Sequence, residues 1–198
     1  MRRQLVESTV WYDVKRGHLG AYLEDGLASG LLLQVVDELQ ALLEPVIGKA
    51  RLVQAWGYKY HGHRSDMGIR PHADEGAFTV NCWVTADEHN LVDGSGGLRV
   101  YGASVPDHVP FPEANRDFRA VRRHVAGAAF VDVDHRSNRC VVFRSKLVHE
   151  TRPFYFRRDY GAYRINLTFM YGTSDWSSAW RGKQGDDDDD PRMYDAPG

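Results

Sequence analysis

Two histidines and one aspartate are the side chains of this sequence whose types and spacing best suit a metal ion. His72 and Asp74 stand two positions apart just before one strand-like segment, and His149 follows another. Residues i and i+2 of an extended strand point to the same side of it. His72 and Asp74 can therefore offer an imidazole nitrogen and a carboxylate oxygen to a single ion, with His149 as a third ligand from a distant strand.

Three protein ligands of these types leave part of the coordination sphere of the ion open. Two imidazoles and one carboxylate on one face of an octahedral ion form the facial triad of non-haem Fe(II) oxygenases, which need room for a chelating co-substrate and for O₂. Zinc hydrolases also use two histidines and a carboxylate. They usually hold the histidines on a helix in an H-E-x-x-H motif, which this sequence does not contain. A non-catalytic module that senses a metal or a small acid is a third alternative.

A single arginine, Arg164, favours the oxygenase over the hydrolase. It lies 15 residues after His149, at the start of a strand-like segment, 164–171. A buried arginine at this place can hold a carboxylate with two parallel charge-assisted hydrogen bonds. An oxygenase that uses 2-oxoglutarate needs such a group for the distal carboxylate of this co-substrate, whereas a zinc hydrolase needs none.

With this arginine, the ordered set of residues resembles the iron(II)/2-oxoglutarate-dependent dioxygenases, in particular their small prolyl-hydroxylase-like branch. The resemblance implies a mainly β fold, a double-stranded β-helix (a jelly-roll or cupin-like barrel) backed by N-terminal helices. It also implies that His72, Asp74 and His149 hold Fe(II) and that 2-oxoglutarate and O₂ are consumed. The segments that carry the resemblance are 71–81, 96–101, 148–150 and 164–168, within the span 52–172.

The resemblance also implies roles around the co-substrate and in the reaction. Arg164 is expected to bind the distal carboxylate of 2-oxoglutarate, helped by Tyr60 or Tyr58, of which Tyr60 is preferred. Asn81 and Asn166 share strand faces with the site and are candidates for further contact with the co-substrate. The implied reaction is hydroxylation of an unactivated C–H bond in a peptide, an amino-acid-like molecule or a small metabolite, with release of succinate and CO₂. Related halogenases have a small residue in place of the aspartate ligand, so its presence favours hydroxylation over halogenation.

The composition of the whole chain limits the class of protein. Its 198 residues suit one domain, and 42% of them are apolar and 26% charged, as in globular proteins. The net charge of -2 gives no indication of nucleic acid or an anionic membrane as a partner, and no apolar segment is long enough to span a bilayer. Residues 1–7 lack the apolar region of a signal peptide. We therefore expect a cytoplasmic protein in which Cys82 and Cys140 are reduced, buried thiols.

Hydrophobic periodicity predicts a short N-terminal part followed by a β-rich core. The N-terminal part, 1–49, is expected to contain a strand at 7–15, a short helix at 19–27 and an amphipathic helix at 30–44, with Ser29 as its cap and Pro45 at its end. The core, 50–172, is expected to hold a short helix within 113–124 and strands at 50–60, 77–85, 98–101, 128–134, 140–143 and 164–171.

Three further features of the chain have weaker implications. The polar loop 61–70 leads into the site and is a candidate for substrate specificity, because loops at a barrel mouth commonly carry it. Trp83 shares a strand face with Asn81 and is expected either to line the cavity or to pack in the barrel. The last part, 173–198, contains the run Asp186 to Asp190, and its like charges predict a solvated, mobile tail.

Overall fold

Two antiparallel β-sheets form the body of the protein in the computed structural model, which describes residues 1–15, 17–60, 68–106, 109 and 111–173. The helices are α1 (Arg2–Glu7), α2 (Gly30–Ile47), α3 (Phe111–Arg116) and α4 (Phe118–His124). The strands are β1 (Asp13–Lys15), β2 (His18–Tyr22), β3 (Leu52–Tyr60), β4 (Gly76–Trp83), β5 (Leu98–Ser104), β6 (Phe130–Val133), β7 (Cys140–Arg144), β8 (Leu147–Thr151) and β9 (Arg164–Thr173). Most of the predicted polar loop, 61–67, and the acidic tail after 173 lie outside the described residues.

The order of the strands brings segments that are distant in the sequence next to one another. The larger sheet has the order β1-β2-β3-β9-β4-β7, and the smaller sheet has the order β6-β5-β8. A buried cluster of Trp83, Leu98 and Phe143 joins the two sheets. This arrangement confirms the predicted mainly β architecture.

Strand β9 lies between β3 and β4, and its two faces have different surroundings. One face packs against helix α2 in the main core, where Ile165, Leu167 and Phe169 are almost fully buried. The other face carries Arg164 and Asn166 and borders a pocket that residues of both sheets line. The alternation of a strand thus separates the residues that stabilise the fold from those that face the pocket.

The predictions for the first part of the chain are partly wrong. The sequence predicts a strand over 7–15, but only Asp13–Lys15 forms one, and helix α1 precedes it. The sequence also predicts a helix over 19–27, but strand β2 occupies its first half. Pairing with β1 on one side and β3 on the other overrides the weak local helical pattern, as often happens for short segments.

Helix α2 begins as predicted and extends beyond its predicted end. The Ser29 side chain accepts a hydrogen bond from the Leu32 backbone N–H at 3.2 Å, which caps the first turn. The helix continues through Pro45 to Ile47, because Ile47 is buried in the main core and its burial offsets the hydrogen bond that the proline cannot donate. It ends at Gly48, whose φ of 60° is in the left-handed region that favours glycine.

The strands of the core agree with the prediction to within a few residues, with two corrections. His149 lies inside β8 and does not follow a strand. The helix predicted within 113–124 is two short helices, because the Asp117 side chain accepts hydrogen bonds from the Arg119 and Ala120 backbone N–H groups and begins α4.

The prediction of two reduced, buried cysteines is wrong. Cys82 on β4 and Cys140 on β7 are directly opposite each other in the sheet and form a disulfide, and Cys140 is exposed. Their Cα atoms are 4.1 Å apart because the strand register pairs them. Disulfides persist mainly in oxidising compartments, so the cytoplasmic location loses one of its arguments and stays a prediction. Within the described residues, no helix is long and apolar enough to cross a membrane.

Candidate metal centre and carboxylate pocket

The three predicted metal ligands meet at one point between the two sheets. The Nε2 atom of His72 is 3.7 Å from Asp74 Oδ1, and the Nε2 atom of His149 is 3.5 Å from Asp74 Oδ2. His72 and His149 also form an isolated antiparallel bridge, with backbone hydrogen bonds of 3.0 and 2.8 Å. The potential ligand atoms of the three residues all lie within 4.8 Å of one another, close enough to bind a single ion.

Backbone carbonyls fix the orientation of both imidazoles. His72 Nδ1 is 2.8 Å from the Arg70 carbonyl oxygen, and His149 Nδ1 is 2.9 Å from the Leu147 carbonyl oxygen. A carbonyl only accepts hydrogen bonds, so each Nδ1 carries the proton and donates it. The lone pair of each Nε2 is then directed at the space beside Asp74, as in metal sites whose histidines are held by a second hydrogen bond.

The carboxylate ligand is held in the same way. The Thr79 hydroxyl donates a hydrogen bond of 2.8 Å to Asp74 Oδ2, and a further hydrogen bond of 2.9 Å joins the Thr79 and Ser145 hydroxyls. Thr79 lies on β4, five residues after Asp74, and Ser145 directly follows β7. The ligand set is therefore positioned by its surroundings, and the sequence prediction did not include these two supporting hydroxyls.

Electrostatics set the protonation states that a metal ion requires. Burial, with a smaller contribution from the neighbouring His149, lowers the pKa of His72 to about 4, so this imidazole is neutral at pH 7. Burial disfavours ionisation of the Asp74 carboxyl, but the two histidines and the Thr79 hydrogen bond outweigh it and lower its pKa to about 2. A neutral imidazole and an ionised carboxylate are the forms that bind metals.

A buried cation, Arg164, lines the same pocket. Its side chain is 1% exposed, and it donates hydrogen bonds to the Gly96 carbonyl oxygen (2.7 Å, from Nε) and to Asn166 Oδ1 (3.0 Å, from Nη1). Burial lowers the pKa of Arg164, but a guanidinium stays protonated in proteins. Within the described part of the chain, no carboxylate forms an ion pair with it. A buried charge without a counterion is costly, so the geometry suits an anionic ligand.

Of the two candidate tyrosines, Tyr60 is the one placed against this arginine. Tyr60 is 1% exposed, the Arg164 guanidinium lies 4.9 Å from its ring centroid, and Arg164 and Thr151 both oppose the rise in its pKa that burial causes. Phe154 packs edge-on against Tyr60 at 5.3 Å and holds the ring in position. Tyr58 is only half-buried and lies opposite Asn166 in the strand register.

All eight residues predicted for the site line one pocket of about 390 Å³, part of which is open to solvent. Trp83 does not line it and packs in the cluster between the sheets. The pocket residues that the sequence prediction missed are Trp56, Ile69, Thr79, Leu98, Phe143, Thr151 and Thr168. For Trp56, Thr79 and Thr168 the signal was present, because each is two positions from a predicted pocket residue on the same strand.

The two sheets with the site between them define the fold as a double-stranded β-helix, and solved structures of 2-oxoglutarate-dependent oxygenases share it. The structure is similar to the epimerase SnoN in complex with Fe3+, alpha ketoglutarate and nogalamycin RO (TM-score 0.57, 18% identity, 93% of this chain and 79% of that chain). It is also similar to HygX from Streptomyces hygroscopicus with nickel and 2-oxoglutarate bound (TM-score 0.53, 17% identity, 88% and 77%).

A prolyl-4-hydroxylase from Pseudomonas putida is a further similar structure (TM-score 0.50, 18% identity, 86% of this chain and 81% of that chain). No protein-family model matches the sequence, and no curated protein matches it significantly. At these identities the likeness establishes the fold. The roles of individual side chains rest on the geometry of the pocket.

Proposed function

We propose that this protein is a non-haem Fe(II)- and 2-oxoglutarate-dependent oxygenase that hydroxylates an unactivated C–H bond. The observation that carries the proposal is the pairing of two features in one pocket. His72, Asp74 and His149 lie close enough together to act as a facial triad, and Arg164 is a buried cation that lacks a counterion among the described residues. Iron(II) and 2-oxoglutarate together satisfy both features.

The metal ligands define what chemistry is available. With Fe(II) and 2-oxoglutarate bound, the site supplies O₂ activation: one oxygen atom enters the substrate as a hydroxyl, and the other enters succinate as 2-oxoglutarate loses CO₂. The protein contributes orientation, and no side chain has to act as a general base. His72 and His149 can direct Nε2 at the ion because each donates its Nδ1 proton to a backbone carbonyl.

Arg164 and Tyr60 are proposed to hold the distal carboxylate of 2-oxoglutarate. Arginine has five N–H donors, and those directed to Gly96 and Asn166 keep the guanidinium in place while the rest face Tyr60 and the pocket. Two parallel hydrogen bonds from a guanidinium match the geometry of a carboxylate. The anion would at the same time neutralise the buried charge of Arg164.

The lack of a second carboxylate among the described lining residues argues against a zinc hydrolase. Among the described residues that line it, Asp74 is the only carboxylate, and it is a proposed metal ligand. A zinc hydrolase commonly needs a further acidic side chain as a general base. The non-catalytic sensor is a separate alternative, which a turnover measurement distinguishes from the enzyme.

The test is succinate formation from 2-oxoglutarate by the purified protein supplied with Fe(II) and O₂. We expect slow succinate formation even without a substrate, none when Zn(II) replaces Fe(II), and none in the Asp74→Ala variant. His124→Ala is the matched control, because His124 is exposed and is not a ligand. Binding of 2-oxoglutarate without any turnover would support the sensor and contradict the proposed enzyme.

A further inference from the structure

The charges around the pocket restrict what kind of substrate can enter it; this inference rests on the proposed function. Among the described residues that line the pocket, the acidic and basic side chains other than the two histidine ligands are Asp74 and Arg164. When Fe(II) and 2-oxoglutarate are bound, the doubly positive ion and Arg164 balance the Asp74 carboxylate and the dicarboxylate of the co-substrate. No described lining residue then remains to pair with a charge on the substrate. A carboxylate or an ammonium group on the substrate would have no ionic partner among these residues, which is unfavourable where the group is buried.

A chain of hydrogen bonds fixes which polar group the pocket offers to a neutral ligand. Arg164 can only donate, so the Asn166 amide must direct its oxygen to Arg164 Nη1 (3.0 Å) and its nitrogen away from it. The Asn166 nitrogen donates to Asn81 Oδ1 at 2.9 Å, and the Thr168 hydroxyl donates to the same oxygen at 3.3 Å. The orientation of the Asn81 amide is thereby determined, although neither amide is charged.

The result is a buried donor that has no acceptor. The Asn81 Nδ2 atom is fully buried and makes no hydrogen bond, although Asn81 lines the pocket. Buried donors are rarely left without a partner, and leaving one costs about 1–3 kcal/mol. The Thr168 hydroxyl lies 3.3 Å from the oxygen of the same amide and has a lone pair to accept a hydrogen bond. A hydroxyl group, which both accepts and donates, fits this pair better than a carbonyl, which only accepts.

Two aromatic side chains of β3 line the pocket beside these polar groups. Trp56 and Tyr58 lie on the pocket face of β3, opposite Thr168 and Asn166 of β9 in the register. Both rings are half-buried, so part of each is available to a ligand. Tyr58 is held edge-on to His18 at 4.7 Å. A flat apolar surface next to amide and hydroxyl groups suits a ring with one apolar face and polar edges.

We propose that the part of the substrate that reacts in this pocket is an uncharged, hydroxyl-bearing ring of the sugar or cyclic polyol type. Its apolar face packs on Trp56, and one of its hydroxyls accepts a hydrogen bond from Asn81 Nδ2 and donates to Thr168. Asn81 is thus a specificity-determining residue of the substrate site, oriented by Arg164 through Asn166. Free amino acids are expected to bind less well, because their carboxylate and ammonium find no ionic partner among the described lining residues.

The experiment measures ligand binding by saturation-transfer NMR, without turnover, on the full chain loaded with Zn(II) and 2-oxoglutarate. The probes are methyl β-D-glucopyranoside, myo-inositol, N-acetyl-L-proline amide and L-proline, each at millimolar concentration. We expect transfer to the two neutral hydroxylated rings and weaker or no transfer to the other two probes. Stronger transfer to L-proline or to the amide, or no transfer to either hydroxylated ring, overturns the proposal.

Substitutions test whether Trp56 and Asn81 contact the hydroxylated ring. Trp56→Ala and Asn81→Ala should each weaken binding of the hydroxylated rings by about tenfold, the loss expected for one stacking contact or one hydrogen bond. Trp56→Phe should restore most of the binding, and Tyr155→Ala is a control for loss of an exposed aromatic ring. The affinity for 2-oxoglutarate, measured in parallel, separates two failures. If wild type does not bind 2-oxoglutarate, the proposed function fails; if Asn81→Ala weakens only 2-oxoglutarate, the assignment of Asn81 to the substrate fails.

Discussion

Removing the Arg164 charge tests the carboxylate pocket most sharply when the ligand is changed as well. Arg164→Met keeps a long side chain in a fully buried position but deletes the guanidinium. It also leaves the Gly96 carbonyl and Asn166 Oδ1 without their donor, so some loss of stability is expected together with any loss of binding. The matching change in the ligand is 2-oxopentanoate, which has the same carbon chain as 2-oxoglutarate but no distal carboxylate.

The magnitude follows from the geometry of the pocket. A guanidinium that grips a carboxylate makes two charge-assisted hydrogen bonds, each contributing about 1.5–3 kcal/mol. At the lower end their sum is about 3 kcal/mol, and 1.4 kcal/mol corresponds to a factor of ten in affinity. Wild type should therefore prefer 2-oxoglutarate over 2-oxopentanoate by about 100-fold or more, and Arg164→Met should lose most of this preference.

The assay is a binding titration of both acids to the Fe(II) protein without O₂, in wild type, Arg164→Met and Arg164→Lys. Because both ligands are compared within each protein, a general loss of stability or metal affects them alike and cancels. Arg164→Lys should show an intermediate preference, since it keeps the charge but not the paired geometry. If Arg164→Met retains the full preference of wild type, Arg164 does not bind the distal carboxylate, and the role proposed for it is wrong.

Three further predictions concern stability, each measured by urea unfolding. Replacing Cys82 and Cys140 by serine should lower the free energy of unfolding by up to about 4 kcal/mol, because the disulfide closes a loop of 58 residues. Equal stability of wild type with and without reductant would contradict the disulfide. Burial lowers the pKa of His135 to about 4, so the unfolded state binds more protons than the folded state between that pH and 6.5. The free energy of unfolding should therefore decrease by up to about 3 kcal/mol as the pH is lowered through this window. The decrease should be smaller in His135→Gln, and an identical pH dependence in the two proteins would refute this. In Gly97→Ala the new Cβ would collide with the Val133 carbonyl oxygen, so we expect a loss of about 1–3 kcal/mol, and an unchanged stability would show that β5 and β6 can separate.

That His72 and Asp74 point to the same place could be predicted because their relation is local to the extended segment before β4. The i, i+2 relation of His72 and Asp74 survives in almost any extended backbone, and the alternation of β4 and β9 separates core from pocket residues without knowledge of the partner strands. The N-terminal strand β2 could not be predicted in this way. It is short, and its conformation depends on pairing with β3, which lies about thirty residues later in the chain.

The features that the sequence did not reveal all depend on strand register. Cys82 and Cys140 form a disulfide because the register of β4 and β7 places them directly opposite each other. Nothing in the sequence of either strand specifies this register. The orientation of the Asn81 amide likewise follows from β9 lying beside β4, which brings Asn166 and Thr168 to it. Composition and periodicity identify faces of strands, whereas hydrogen-bond networks between strands require the fold.

The central claim is that one pocket holds Fe(II) and chelated 2-oxoglutarate together. The most direct test is an anaerobic titration of the metal-free protein with Fe(II) and then with 2-oxoglutarate, followed through the visible metal-to-ligand charge-transfer band of the chelate. We predict that the band appears in wild type and in His124→Ala and is absent in His72→Ala. If Fe(II) binds to wild type but no band appears, or if the band persists in His72→Ala, the proposed metal centre is contradicted.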